Sequence, residues 1–195
     1  TNDLDGDAEN IIWSQDNQSI HFTYDQRGIR KIGKVGLNGD IKNIASNVGG
    51  TTIGRPYISG DYHTESDTIA FTQSSPDRPA DIAVVNGDEL RVLTNLNEDL
   101  LAHRKLGEVN EIIYKSSFDG QEIQGWYITP PDYDSSKTYP LILEIHGGPH
   151  LAYGPHFSAE LQIMAAAGYI VFYDNYRGSK SYGEDFALLL QYKYS

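Results

Sequence analysis

Through the first hundred residues, apolar positions come in short bursts separated by polar turns. Ile11-Ile12-Trp13 and residues 19–24, 29–35 and 40–44 are each of strand length. Asp25-Gln26-Arg27-Gly28 and Leu37-Asn38-Gly39-Asp40 carry turn chemistry between them. The pattern then returns. Ile20-His21-Phe22-Thr23 recurs as Ile69-Ala70-Phe71-Thr72, 49 residues on, and Asn38-Gly39-Asp40 recurs as Asn86-Gly87-Asp88, 48 residues on. One single-residue indel reconciles the spacings. A period of about 40–50 residues with about four strands per unit predicts blades of a β-propeller. A propeller closes with about four blades or more, so two blades predict further neighbours.

Residues 95–108 are polar and charged and end near Gly107, and a domain boundary is expected there. The pattern changes after it. Residues 109–116 and 122–129 predict a hairpin turning at Asp119-Gly120, and Pro130-Pro131 stops the second strand. Leu141-Ile142-Leu143-Glu144-Ile145 is an apolar strand that runs into His146-Gly147-Gly148-Pro149. Residues 157–167 predict a helix with Leu161, Met164 and Ala165 on one face and Gly168 as its left-handed stop. Residues 169–173 predict a second apolar strand. Strand, helix and strand form a βαβ unit, whose strands are expected to be buried on both faces. A last helix is expected to begin at Asp185 and run toward Tyr192.

Composition narrows the chemistry. The 195 residues contain no Cys, which excludes a disulfide scaffold, a Cys-ligated zinc site and a thiol nucleophile, and leaves the compartment open. The formal net charge of −12 disfavours nucleic acid, whose binding rests on Lys and Arg neutralising phosphates. Apolar runs reach about five residues, against the ~20 of a membrane helix, so no membrane partner is expected. The chain opens on Thr1 rather than Met, so the lack of a signal-peptide pattern carries little weight.

Several motifs lose to simpler readings. With Asp3, Asp5 and Asp7 as ligands, a calcium loop needs Gly at position 8 and Glu at position 14, where the chain has Ala8 and Ser14. His146, His150 and His156 are close in sequence, but Gly147, Gly148 and Pro149 forbid the helix that a His-Glu-x-x-His zinc site needs, so no metal is expected. Ser181 sits in Ser179-Lys180-Ser181-Tyr182-Gly183, which lacks the first Gly of a nucleophile elbow. No His follows His156, so neither Ser181 nor any later Ser has a downstream base. His146-Gly147-Gly148-Pro149 is more informative. It joins a buried strand to a helix, where α/β-hydrolases draw one backbone N–H of the oxyanion hole, and glycine keeps Cβ atoms away from the substrate oxygen. The plain alternative is an ordinary Gly-Gly-Pro strand exit.

These strings, taken in order, resemble the prolyl oligopeptidase family of serine peptidases, in its acylaminoacyl-peptidase and dipeptidyl-peptidase-like branch. Trp13-Ser14-x-Asp16 with Ile20-x-Phe22 resembles a blade motif. Phe118-Asp119-Gly120, then Ile123-x-Gly125-Trp126-Tyr127 and Pro130, resembles the entry to the hydrolase domain. Tyr139-Pro140-Leu141, His146-Gly147-Gly148-Pro149, Gly168-Tyr169 and Asn175-Tyr176-Arg177-Gly178-Ser179 with Tyr182-Gly183 continue the match.

The resemblance implies a mixed fold: β-propeller blades (residues 1–104, about two) followed by the N-terminal part of an α/β-hydrolase domain (residues 105–195). It implies a serine-type oligopeptidase acting on short peptides through a Ser-Asp-His triad, without a cofactor. Gly148 and Gly147 are the implied backbone oxyanion donors, with His146 shaping the turn and Arg177 in a structural role. Two features depart from the family. Tyr176 stands where Pro is common, and the triad residues are absent, which marks the chain as a fragment that is inactive alone. The alternatives are a non-catalytic propeller binding module and an esterase on the same fold. Compartment and oligomeric state stay open.

Overall fold

The two copies of the sequence repeat fold into two copies of one element order. The computed structural model describes residues 4–66 and 68–191. Asp3 and Tyr192, named above in a loop and at a helix end, lie outside the described residues. The first copy is an antiparallel meander of β1 (Glu9–Trp13), β2 (Ser19–Gln26), β3 (Ile29–Gly36) and β4 (Ile41–Val48). The second is β5 (Tyr62–Glu65), β6 (Thr68–Ser75), β7 (Arg78–Asn86) and β8 (Glu89–Val92). The copies are in phase. Ile20–Thr23 and Ile69–Thr72 lie in the second strand of each, and each Asn-Gly-Asp turn joins the third strand to the fourth.

The meanders are propeller blades packed face to face. Ile32, Ala45 and Val48 of the first meet Ile69, Phe71, Ala83 and Val85 of the second in one buried cluster. The period-2 alternation of each strand sends these side chains to one side. Backbone pairing between the blades is a single bridge, Val48 to Gln73, so apolar burial holds them together.

The polar stretch after β8 contains a short helix that the sequence pattern did not predict, α1 (Glu98–Leu101). A second sheet follows: β9 (Val109–Lys115), β10 (Glu122–Ile128), β11 (Leu141–Glu144) and β12 (Ile170–Asn175), in the order β11-β12-β10-β9. β11 and β12 are parallel, and α2 (Ala159–Ala166) connects them. Ser158 caps α2, its hydroxyl accepting from the Leu161 amide at 3.3 Å, and Gly168 follows the helix at φ +96°. Leu161 and Ala165 pack on Trp126, Ile128, Val171 and Tyr173 of the sheet. Buried Gln162 ties the connector to α2: its amide donates to the Gly107 carbonyl at 3.1 Å and accepts the Gly107 N–H at 2.8 Å.

Two expectations are corrected here. Within this chain β11 is not buried on both faces, whereas no residue of β12 is exposed. α2 covers one face, and alternation turns Leu141, Leu143 and Ile145 to the other, where they are 63%, 53% and 59% exposed. The expected last helix is only α3 (Glu184–Ala187), one turn that tightens into a 3₁₀ turn at Leu188–Leu190. No helix among the described residues is long and apolar enough to cross a membrane.

The blades and the second sheet meet along polar seams. Residues 53–58, between the blades, run beside residues 152–160. The Ile58 N–H donates to the Ala152 carbonyl at 3.0 Å, and the Gly154 N–H donates to Pro56 at 2.9 Å. At the β2–β3 turn, the Gly28 N–H donates to Ser181 Oγ at 2.8 Å, and the Arg27 N–H to the Ser181 carbonyl at 2.7 Å.

Candidate active site

Parallel β11 and β12 end at the same edge of the sheet, so the segments that leave them lie side by side. His146-Gly147-Gly148-Pro149 leaves β11, and Tyr176-Arg177-Gly178-Ser179 leaves β12. The His146 ring is buried between two tyrosines. It stacks on Tyr176, with centroids 4.5 Å apart and planes at 21°, and meets the Tyr153 ring edge-on at 5.1 Å.

Both ring nitrogens and the carbonyl of His146 have neighbours. Nε2 lies 2.9 Å from Ser179 Oγ, and Nδ1 lies 3.1 Å from the Gly147 carbonyl. The Tyr176 hydroxyl donates to the His146 carbonyl at 2.8 Å. Burial pushes the imidazole below its ordinary pKa, against the opposing pull of the Gly147 carbonyl and Asp174, and so favours the neutral ring.

Behind this layer, the Tyr153 hydroxyl donates to buried Glu144 at 3.0 Å. Arg55, from the segment between the blades, pairs with Glu144 and with Glu160. Asn175 accepts the Tyr153 N–H at 2.7 Å and donates to the Tyr153 carbonyl and the Tyr182 hydroxyl, each at 2.8 Å. The β12 end, the 152–154 strip and the blades are thus one hydrogen-bonded body.

Gly147 and Gly148 stand at the surface of this body, exposed. Gly148 has φ +79°, a conformation that disfavours a side chain, and a Cβ there would lie 3.1 Å from Leu151. A Cβ at Gly147 would meet nothing within 4 Å, so no contact among the described residues requires glycine there. Among the described residues neither amide donates a hydrogen bond. Two adjacent N–H groups are therefore open to an outside acceptor.

The other singled-out residues do different work. His156 is buried with Nδ1 2.9 Å from Ser74 Oγ of the second blade, and His150 is exposed. Among the described residues no three His, Cys, Asp or Glu side chains gather as a metal site. Ser181 has φ +86°, and its hydroxyl and carbonyl both accept from the β2–β3 turn. Arg177 pairs with Asp119 at 2.8 Å and lies over the Phe118 ring at 4.5 Å, tying the β12 exit to the β9–β10 turn. Asp5 accepts the Glu184 N–H at 3.2 Å. Sequence reasoning missed the roles of Ser179, Glu144 and Arg55, since their partners are distant in sequence and no local pattern announces them.

The comparisons point one way. Residues 155–195 match the family model Peptidase_S9, prolyl oligopeptidase family. An uncharacterized peptidase of Bacillus subtilis, YuxL, is 32% identical over 186 residues, which is 94% of this chain and 27% of that protein. The acylaminoacyl peptidase of Pyrococcus horikoshii, in its orthorhombic crystal form, superposes on 97% of this chain with a TM-score of 0.79 at 28% identity, using 28% of its own length. An acylaminoacyl peptidase solved in complex with Z-Gly-Gly-Phe-chloromethyl ketone gives 0.78 at 29% identity, over 95% of this chain and 28% of its own. The chain thus spans about a quarter of the length of the relatives it matches. Likeness in sequence and likeness in fold point the same way: along nearly all of its length the chain is similar to peptidases, and its residues 155–195 match the prolyl oligopeptidase family model.

Proposed function

We propose that this chain is the junction of a serine peptidase. The end of a β-propeller, residues 1–104, passes into the N-terminal part of an α/β-hydrolase domain, residues 105–195. The parent reaction is acyl transfer. A serine hydroxyl beyond Ser195 attacks a peptide carbonyl, the tetrahedral oxyanion is held by backbone N–H groups, and water releases the acyl group. Gly148 supplies one N–H from this chain and Gly147 lies beside it; the residue after the nucleophile supplies the other donor. The Asp and His of the triad also lie beyond Ser195. The substrate class is short peptides, which the blades screen at the edge where β11 and β12 end.

One observation carries this reading. Two exposed amides without internal partners sit at the C-terminal end of a parallel strand, on a fold shared with acylaminoacyl peptidases. Donors of this kind stabilise charge that develops only in the transition state, and losing one costs about 10²–10³ in kcat. A fluorophosphonate probe provides the test. The 195-residue chain is expected to stay unlabelled, while the longer protein that continues past Ser195 is labelled on one serine and cleaves short peptides. Labelling of any serine within residues 1–195 overturns the placement of the triad. An unreactive longer protein overturns the peptidase reading, and a panel of matched peptides and esters separates peptidase from esterase.

A further inference from the structure

The open amides of Gly147 and Gly148 are aimed by the carbonyls that precede them. A trans peptide is planar, and its C=O and N–H point in opposite directions. Holding one carbonyl therefore aims the next N–H. The Tyr176 hydroxyl holds the His146 carbonyl at 2.8 Å, which turns the Gly147 N–H away from Tyr176. The His146 ring faces the Gly147 carbonyl across 3.1 Å, which turns the Gly148 N–H away from the ring.

The second hold needs the imidazole proton on Nδ1. A neutral ring then has a lone pair on Nε2, which accepts the Ser179 hydroxyl at 2.9 Å. The Ser179 proton has a second acceptor within reach, the Tyr176 carbonyl at 2.6 Å. Donation there goes with a proton on Nε2 and leaves the Gly147 carbonyl unheld. Ser179 thus governs the second peptide plane and Tyr176 the first. The ring itself cannot swing, because Tyr176 and Tyr153 pack against it.

We propose that Tyr176 and Ser179 are positioning residues that orient the Gly147 and Gly148 amides toward the oxyanion. The proposal rests on the oxyanion reading of the two glycines. It also gives a role to Tyr176, the residue at which this chain departs from the Pro common in the family. Tyr176 sends its hydroxyl back to the β11 exit, which a Pro at this position cannot do.

Tyr176→Phe keeps the stacked ring and removes only the donor. In the longer peptidase it is expected to lower kcat about 10- to 100-fold, with KM changed less than about twofold and the melting temperature unchanged. Ser179→Ala is expected to lower kcat in the same way but less. A second arm needs no activity. His146-Gly147 is the sole His-Gly pair in this sequence, so carbonyl-¹³C His with ¹⁵N Gly labels one peptide bond of the chain. A hydrogen bond to a carbonyl polarises its peptide unit, so Tyr176→Phe is expected to move that resonance. An unchanged kcat in an active enzyme, or a resonance that stays in place, overturns the proposal. If the longer protein neither cleaves peptides nor takes the fluorophosphonate, the peptidase reading fails on its own, and the resonance still decides whether Tyr176 orients the Gly147 amide.

Discussion

The first blade makes two contacts of opposite character. Against the second blade it presents Ile32, Ala45 and Val48, and the contact has an apolar centre with one backbone bridge and a polar rim, where the Tyr62 hydroxyl donates to the Asn10 carbonyl at 2.6 Å. Against the second sheet it presents hydrogen bonds and charge. Within the blade Arg30 lies 2.8 Å from both Asp25 and Glu9, and across the contact Lys180, from the segment after β12, reaches Asp25 at 2.9 Å. Burial works against the charge on Asp25, but Arg30 and Lys180 outweigh it and hold the carboxyl below the usual carboxylate range. The backbones also come very close: a Cβ at Gly154 would sit 2.1 Å from the Gly28 carbonyl oxygen. Apolar burial is non-directional and tolerates small slides. Hydrogen bonds and buried ion pairs weaken steeply with angle and distance. The blades thus hold each other by area, while the contact with the second sheet fixes how they face the β11 and β12 exits.

The largest effect is expected from breaking the apolar contact. Phe71→Ala removes a buried ring from the cluster between the blades and should cost about 3–5 kcal/mol, read from the urea midpoint at constant m-value. A loss under about 1 kcal/mol would mean that the blades are held by something else.

Acid should act on the polar contact instead. Burial lowers His156 to about 4 from its usual 6.5, with Asp25 opposing and Arg30 reinforcing the shift. Between these values the unfolded chain binds more protons than the folded one. The stabilisation is therefore complete above pH 6.5 and is lost as pH falls toward 4, by about 3 kcal/mol in full. Urea titrations at pH 7 and pH 5 measure the slope, and His156→Asn should flatten it. An equal slope in that variant assigns the acid sensitivity to other groups.

The smallest effect sharpens the contrast. Arg27 and Glu122 pair at 2.9 Å across the same contact, but both side chains are more than half exposed. Arg27→Ala should cost under about 1 kcal/mol and less still at high salt. A larger loss would show that the rim of this contact, and not its buried centre, sets its strength.

Local patterns announced the fold well, because strands, turns and repeats are written in neighbouring residues. The copies around Phe22 and Phe71, the turns at Asn38-Gly39 and Asn86-Gly87, and the stop at Gly168 all follow from alternation and backbone preference. The uncovered face bearing Leu141 and Leu143 did not follow, since an apolar run does not tell how many of its faces are packed. At the candidate site, His146-Gly147-Gly148 stood out because glycines after an apolar strand need a reason. The partners of that turn did not stand out. Tyr176 and Ser179 come from the far side of a parallel crossover, and Arg55 comes from between the blades, so no periodicity links them to His146.

The strand order of the second sheet also has a consequence for biosynthesis. β11 is translated before β12, yet β12 is its strand partner and separates it from the β9–β10 hairpin. As the chain leaves the ribosome, the hairpin keeps an open edge and β11 stays unpaired until residue 175 has emerged. The glycine turn therefore takes its shape late, when the Tyr176 hydroxyl arrives. Until then the β11 backbone lacks its strand partner, and slowing translation between β11 and β12 lengthens that interval.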